Sequence, residues 1–289
     1  MQKIPTFIQI PRCAGTAMLG KIMSAFFYYG TVTKQRQEAV RIYIGEEGGT
    51  LADIMLFAYG KAATANAEIF KNFQNTRNLF FVDYKNLDVI MAALRNKQLS
   101  LFALCITPEG ISSLKTRKYA ALFEAVEAEP VYFTLFREPF SRAISMFNYL
   151  NSEKSYHEPT HGRLKQHSSF NSYIVSPEAE EGWLVRRLTA IPDAAQVTEE
   201  NYEEACKLLS KCKIADVAML ESLAEEVFLE CYNISLDACK AYIGVPAANY
   251  SKALQQLSLE DLNDSEKKIF LERNKFDYRI YNQFLKPIS

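Results

Sequence analysis

Val131-Tyr132-Phe133-Thr134-Leu135-Phe136-Arg137-Glu138-Pro139-Phe140-Ser141-Arg142-Ala143-Ile144-Ser145-Met146-Phe147-Asn148-Tyr149-Leu150 is the stretch that decides the fold. It opens on an apolar, β-branched and aromatic run, the composition of a buried strand. Arg137 and Glu138 end that run. Pro139 then stands where a helix begins, a position at which its missing N–H has no intrahelical partner to lose. Apolar residues recur at 140, 143, 144 and 147, the spacing of a helix face packed on a sheet. Arg137 is thereby placed at the carboxyl end of a strand, and Ser145 about two turns into the following helix. In an open α/β sheet that edge is where ligands bind, and an arginine fork with a hydroxyl suits a phosphate.

A second stretch sharpens this reading. Thr6-Phe7-Ile8-Gln9-Ile10 has the pattern of a strand, and Pro11-Arg12-Cys13-Ala14-Gly15-Thr16-Ala17-Met18 follows it. Helical spacing then runs through Leu19, Ile22, Met23, Phe26 and Phe27. A strand, a loop of small residues and a helix together aim backbone N–H groups at an anion. The loop lacks the G-x-x-x-x-G-K-[ST] pattern, which argues against a nucleotide triphosphatase.

Together the two stretches resemble the sulfotransferases that use 3′-phosphoadenosine 5′-phosphosulfate (PAPS). Ile10-Pro11-Arg12-Cys13-Ala14-Gly15-Thr16-Ala17 resembles their 5′-phosphosulfate loop, of the form I-P-K-T-G-G-T-S. Arg137-Glu138-Pro139 through Ser145 resembles their 3′-phosphate motif, R-D-P with a serine eight positions after the arginine. The likeness is greatest to the carbohydrate-type branch. Trp183-Leu184-Val185-Arg186-Arg187-Leu188-Thr189 and Asn274-Lys275-Phe276-Asp277-Tyr278-Arg279-Ile280-Tyr281 echo two further segments of that branch.

The resemblance implies transfer of a sulfuryl group from PAPS, the co-substrate, to an acceptor hydroxyl without a metal. A carbohydrate is the favoured acceptor, with a small alcohol, a phenol or a tyrosine as alternatives. Arg12 would stabilise charge on the bridging oxygen, with arginine at a position where lysine is commoner. Arg12, Cys13, Ala14, Gly15, Thr16 and Ala17 would cradle the phosphosulfate, and Arg137 and Ser145 the 3′-phosphate. Many members draw their base from a G-H pair; the matching region here is Ile106-Thr107-Pro108-Glu109-Gly110, which has no histidine. Glu109 is the nearest proton acceptor. His157 and His161, with His167, compete for the role from the polar stretch 151–169. Glu47 and Asp83 are further acceptors without motif support. Arg142, Arg186 and Arg187 read as solvated helix residues or weak binders.

Composition narrows the remaining choices. The 289 residues are 48% hydrophobic and 23% charged, which is ordinary globular composition. A net charge of -1 argues against a general nucleic-acid binder. The six cysteines show no C-x-x-C spacing and read as buried thiols. His157 and His161 are spaced i, i+4, but Pro159 between them disfavours the helix a metal pair would need. No apolar run reaches the about 18 residues of a membrane span. Golgi members of the branch carry an N-terminal anchor; with none before the first strand, the expectation is a cytoplasmic protein.

Strands are expected at 41–44, 79–84, 99–106 and 214–219, with helices at 51–73 (broken at Gly60), 87–94 and 114–126. Beyond 150, helices are expected at 170–175, 178–188, 199–211, 220–231 and 265–284. The expected fold is α/β, a single domain over residues 1–289. It is a P-loop-like three-layer fold, with a central mostly parallel sheet flanked by helices and a helix-rich C-terminal half. Two rivals stand beside the sulfotransferase. One is a nucleotide phosphotransferase, the other a non-catalytic nucleotide-binding module.

Overall fold

The computed structural model describes residues 1–33, 37–44, 52–60, 79–83, 87–97, 99–107, 120–150, 167, 169–176, 179, 181–192, 195–240 and 257–285. Among the described residues, seven strands form one sheet: β1 (Gln2–Ile8), β2 (Gln37–Ile44), β3 (Ala52–Gly60), β4 (Leu79–Asp83), β5 (Leu99–Ile106), β6 (Ala128–Phe136) and β7 (Cys212–Asp216). Their order across the sheet is β4-β2-β3-β5-β1-β6-β7. Among the described strands β3 alone runs against its neighbours, so the sheet is mostly parallel. Central strands of such a sheet are covered on both faces and read as continuous apolar runs. β5 is buried at every position but Ser100, and β1 from Ile4 to Ile8.

Helices connect and cover the strands: α1 (Gly15–Thr33), α2 (Leu87–Arg95), α3 (Pro139–Leu150), α4 (Phe170–Ile174) and α5 (Trp183–Thr189). Further along are α6 (Glu199–Leu209), α7 (Leu220–Tyr232), α8 (Leu236–Cys239), α9 (Asp264–Arg273) and α10 (Lys275–Leu285), and residues 120–125 are also helical. α1 packs on α7 and α8, while α10 packs on α3, α5, α6 and β7. The region after Leu150 is helix-rich, as expected, with β7 as its strand among the described residues.

Three expectations are corrected. Residues 51–60 were expected to open a helix, yet 52–60 form β3, paired antiparallel with both β2 and β5. A short apolar run does not distinguish a buried strand from a helix by its period, and here pairing on both edges decides. Gly60 ends that strand; residues 61–73 lie outside the described residues. The helix expected over 265–284 is two helices meeting at Asn274, whose side-chain amide donates to the Phe270 carbonyl. The apolar face of α3 lies against other helices: Phe140, Ile144 and Phe147 cluster with Phe170, Tyr173 and Phe270 of α4 and α9.

Because β1, β6 and β7 are parallel, their carboxyl ends open on one edge, with Ile8 beside Thr134 and Phe136 beside Asp216. The end of β1 is held from both sides. The Thr134 hydroxyl donates to the Ile8 carbonyl at 2.8 Å, and the Gln9 N–H to the Ile106 carbonyl at 2.8 Å.

Candidate functional site

The segment leaving β1 turns at once. The Cys13 N–H donates to the Ile10 carbonyl at 3.2 Å, closing a four-residue turn with Pro11 second and Arg12 third. Proline presets the second position, and the third is left-handed in a type II turn, where glycine is usual. Arg12 takes that position with φ +66°, and Ala14 is left-handed as well, at φ +55°. For a residue with a Cβ, each such conformation costs about 1–2 kcal/mol. Left-handed residues alternating with others turn successive N–H groups toward one concavity, the arrangement that receives anions. The first N–H groups of α1, at Gly15, Thr16 and Ala17, have no intrahelical acceptor and open on the same segment.

The space around Gly15 accounts for a glycine there. Its backbone is not left-handed, and a Cβ there would lie 2.9 Å from Gln9 Cγ. Glycine at 15 makes room for the Gln9 side chain. The Cys13 side chain is 1% exposed, and its N–H donates to the Ile10 carbonyl. Burial pushes its thiol up to about 11 despite Arg142 and Arg137 nearby, so the thiol is protonated and unreactive at neutral pH. Thr16 is exposed at the start of α1.

Three guanidinium groups converge here. Arg12 Nε donates to Ser145 Oγ at 3.1 Å, and its guanidinium lies 4.8 Å from the centre of the Tyr149 ring. Ser145, 5% exposed, and Tyr149 are i, i+4 neighbours on α3, so both face the loop. Burial, then the nearby Arg137, lowers the Arg12 pKa: the group is desolvated beside a like charge. Arg142 stacks over Trp183 at 4.3 Å and is buried. Among the described residues, none of the three is in an ion pair.

The carboxylates at this edge are engaged elsewhere. Glu138 caps α3, accepting from the Phe140 N–H at 3.1 Å and the Ser141 N–H at 2.7 Å, and it also accepts from the Tyr278 hydroxyl. Asp277 accepts from the N–H groups of Leu184 at 3.0 Å and Val185 at 3.3 Å, which caps α5 from a distant part of the chain. Asp216 accepts from the Ala218 N–H and, at 2.9 Å, from the Tyr281 hydroxyl. The edge therefore offers cations to a ligand and keeps its anions occupied.

Of the expected site residues, Arg12, Cys13, Ala14, Gly15, Thr16, Ala17, Arg137 and Ser145 meet at one edge of the sheet. Glu109, His157 and His161 lie outside the described residues, as does Glu47. His167 packs edge-on against Tyr173, with ring centres 5.7 Å apart. Arg186 is a structural residue: it is buried and donates to the carbonyls of Glu181, Pro192 and Ala195. Arg187 lies 5.7 Å from the centre of the Trp183 ring. Sequence reasoning missed Tyr149 and undervalued Arg142. The i+4 step from Ser145 would have found Tyr149; no local pattern marks Arg142 as buried. Comparison with protein-family models, with curated proteins and with solved structures finds no match to this chain.

Proposed function

We propose that the chain is a PAPS-dependent sulfotransferase on a P-loop-like fold, acting on an acceptor hydroxyl, with a carbohydrate favoured. The observation that carries this reading is the meeting of Arg12, Arg137 and Arg142 at a left-handed loop. None of these arginines is ion-paired among the described residues. A cradle of this kind suits a ligand with separate anionic groups better than one with a single phosphate. The orphan N–H groups opening α1 fit that demand.

In this reading, the loop amides of Gly15, Thr16 and Ala17 bind the 5′-phosphosulfate. Arg137 and Ser145 bind the 3′-phosphate. Arg12 is held by Ser145 and Tyr149 where it stabilises charge growing on the bridging oxygen as the S–O bond breaks. A new S–O bond forms to the acceptor, whose proton passes to Glu109, His157 or His161. A nucleotide phosphotransferase lacks support, because the loop has no Lys-[ST] pair.

Adenosine 3′,5′-bisphosphate is expected to raise the melting temperature well above the shifts given by AMP and ATP. At about a hundred times its Kd, a ligand stabilises by roughly 2.7 kcal/mol. Equal shifts from the three nucleotides would remove the assignment. Transfer of ³⁵S from labelled PAPS to a panel of acceptors then tests catalysis. Glu109→Gln, His157→Ala and His161→Ala identify the base as the variant that loses turnover and keeps bisphosphate binding.

A further inference from the structure

Tyr149 belongs to neither phosphate motif, since the second of these ends at Ser145, one helical turn earlier on α3. Its ring nevertheless lies against the side chain on which the proposed chemistry turns. The Arg12 guanidinium sits over that ring, 4.8 Å from its centre. Ser145 reaches the same side chain from the same helix face, through its hydroxyl.

A guanidinium carries five N–H donors in one plane. Arg12 uses one of them, on Nε, to bond Ser145 Oγ at 3.1 Å. Its Nη1 and Nη2 groups have no hydrogen-bond partner among the described residues. A single bond at Nε leaves the plane free to swing; a ring against its face removes that freedom. Something must also hold the group inward, because it is half-buried and Arg137 is near, and both conditions favour its escape to water. The face of an aromatic ring is the negative part of its quadrupole, so it offsets positive charge without occupying an N–H. A carboxylate in its place would take up donors and cancel the charge that an anionic ligand needs. Lysine, commoner at this position in the resembled family, has neither an Nε–H nor a flat face. The arrangement thus accounts for arginine at position 12.

We propose that Tyr149 is a positioning residue for sulfuryl transfer, its ring fixing the plane of the Arg12 guanidinium so that both Nη groups stay available to the donor. The inference rests on the sulfotransferase reading above. Tyr149 acts only through Arg12, and its aromatic ring is the part that matters. Donors held in place before reaction count most where charge grows in the transition state, so loss of the ring slows transfer more than it weakens binding.

The stacking is tested without substrate, by NMR of protein labelled with ¹⁵N-arginine, in which the Arg12 Nε–H signal is the one lost in Arg12→Ala. The ring is expected to displace that signal upfield in the wild type and in Tyr149→Phe, and Tyr149→Leu to return it toward the position of a free arginine. An undisplaced wild-type signal overturns the proposal whatever the substrate. Single-turnover transfer of ³⁵S at saturating PAPS tests the role. Tyr149→Leu is expected to be slower by roughly 3- to 30-fold, the span of a partly desolvated cation–π contact. Its affinity for adenosine 3′,5′-bisphosphate stays within about twofold of wild type, and Tyr149→Phe recovers most of the rate. Combined with Arg12→Ala, the leucine substitution costs no further rate, because the ring then has no guanidinium to hold. A leucine variant as fast as wild type, a phenylalanine variant as slow as leucine, or additive losses in the double variant would each overturn the proposal and leave the sulfotransferase reading intact. A wild-type protein with the displaced signal that neither prefers the bisphosphate nor transfers sulfate overturns that reading, and with it the role of Tyr149, while the stacking itself stands.

Discussion

At Arg12 two costs fall on one side chain. Its backbone is left-handed at φ +66°, and its charge sits partly desolvated near Arg137. Strain of this kind persists where surrounding structure enforces it, and it clusters at functional sites. If Arg12 acts chiefly in the transition state, Arg12→Ala lowers turnover by roughly 10²–10³ while affinity for adenosine 3′,5′-bisphosphate falls less. Arg12→Lys restores much of the rate. Single-turnover kinetics at saturating PAPS read the difference, and a near-normal rate for the alanine variant removes Arg12 from catalysis. Arg12, Arg137 and Ser145 were legible because each lies next to a strand end or helix start whose signals are local. Ala14 is left-handed where the resembled motif has glycine, so the motif carried backbone information that composition alone would hide. Arg142 was not legible: its burial depends on Trp183 and Asp277, which arrive from distant parts of the chain.

Among the elements, α5 shows how a short helix is held in place by another. Gly182 precedes it with a left-handed backbone and no capping side chain of its own, and Asp277 from α10 accepts its first amides. Asp277→Asn keeps the shape but replaces one acceptor oxygen by a donor. It is expected to cost about 1–3 kcal/mol in denaturant unfolding, the penalty for a buried group left unmatched. Burial is the leading cause of the raised Asp277 pKa, so the native state holds its proton more tightly than the unfolded chain does. The stability this group contributes is therefore greatest below its ordinary value of 3.8 and declines as pH rises toward the native value. The asparagine variant lacks that slope, which unfolding of both proteins from the ordinary value of 3.8 upward in pH will reveal. A constant difference across that range would show that Asp277 does not titrate as described. The echo around Asn274–Tyr281 was visible in the sequence, but its roles as a cap for α5 and a tie to Asp216 were not. Those roles belong to pairs of elements.

Across the whole molecule, β1 sits between β5 and β6 with both edges paired, whereas β7 has a single strand partner among the described residues. Native-state hydrogen exchange is expected to be slowest in β1, β5 and β6, and to begin earlier in β7 and the end of α10. Protection of β7 equal to that of β1 would contradict this order. The alternation of strands and helices, and hence the mostly parallel sheet, could be read from the chain. The reversal of β3 could not, since direction is set by partners on both sides and leaves no periodic trace.

The placement of α10 bears on how the protein is made. Its Tyr278 reaches Glu138 at the mouth of β6, its Tyr281 reaches Asp216 at the mouth of β7, and its Asp277 caps α5. During synthesis the loop after β1 leaves the ribosome early, and the helix that completes its surroundings leaves late. Nascent chains can thus assemble most of the sheet while the carboxyl edge of β6 and β7 still lacks its contacts to Tyr278 and Tyr281.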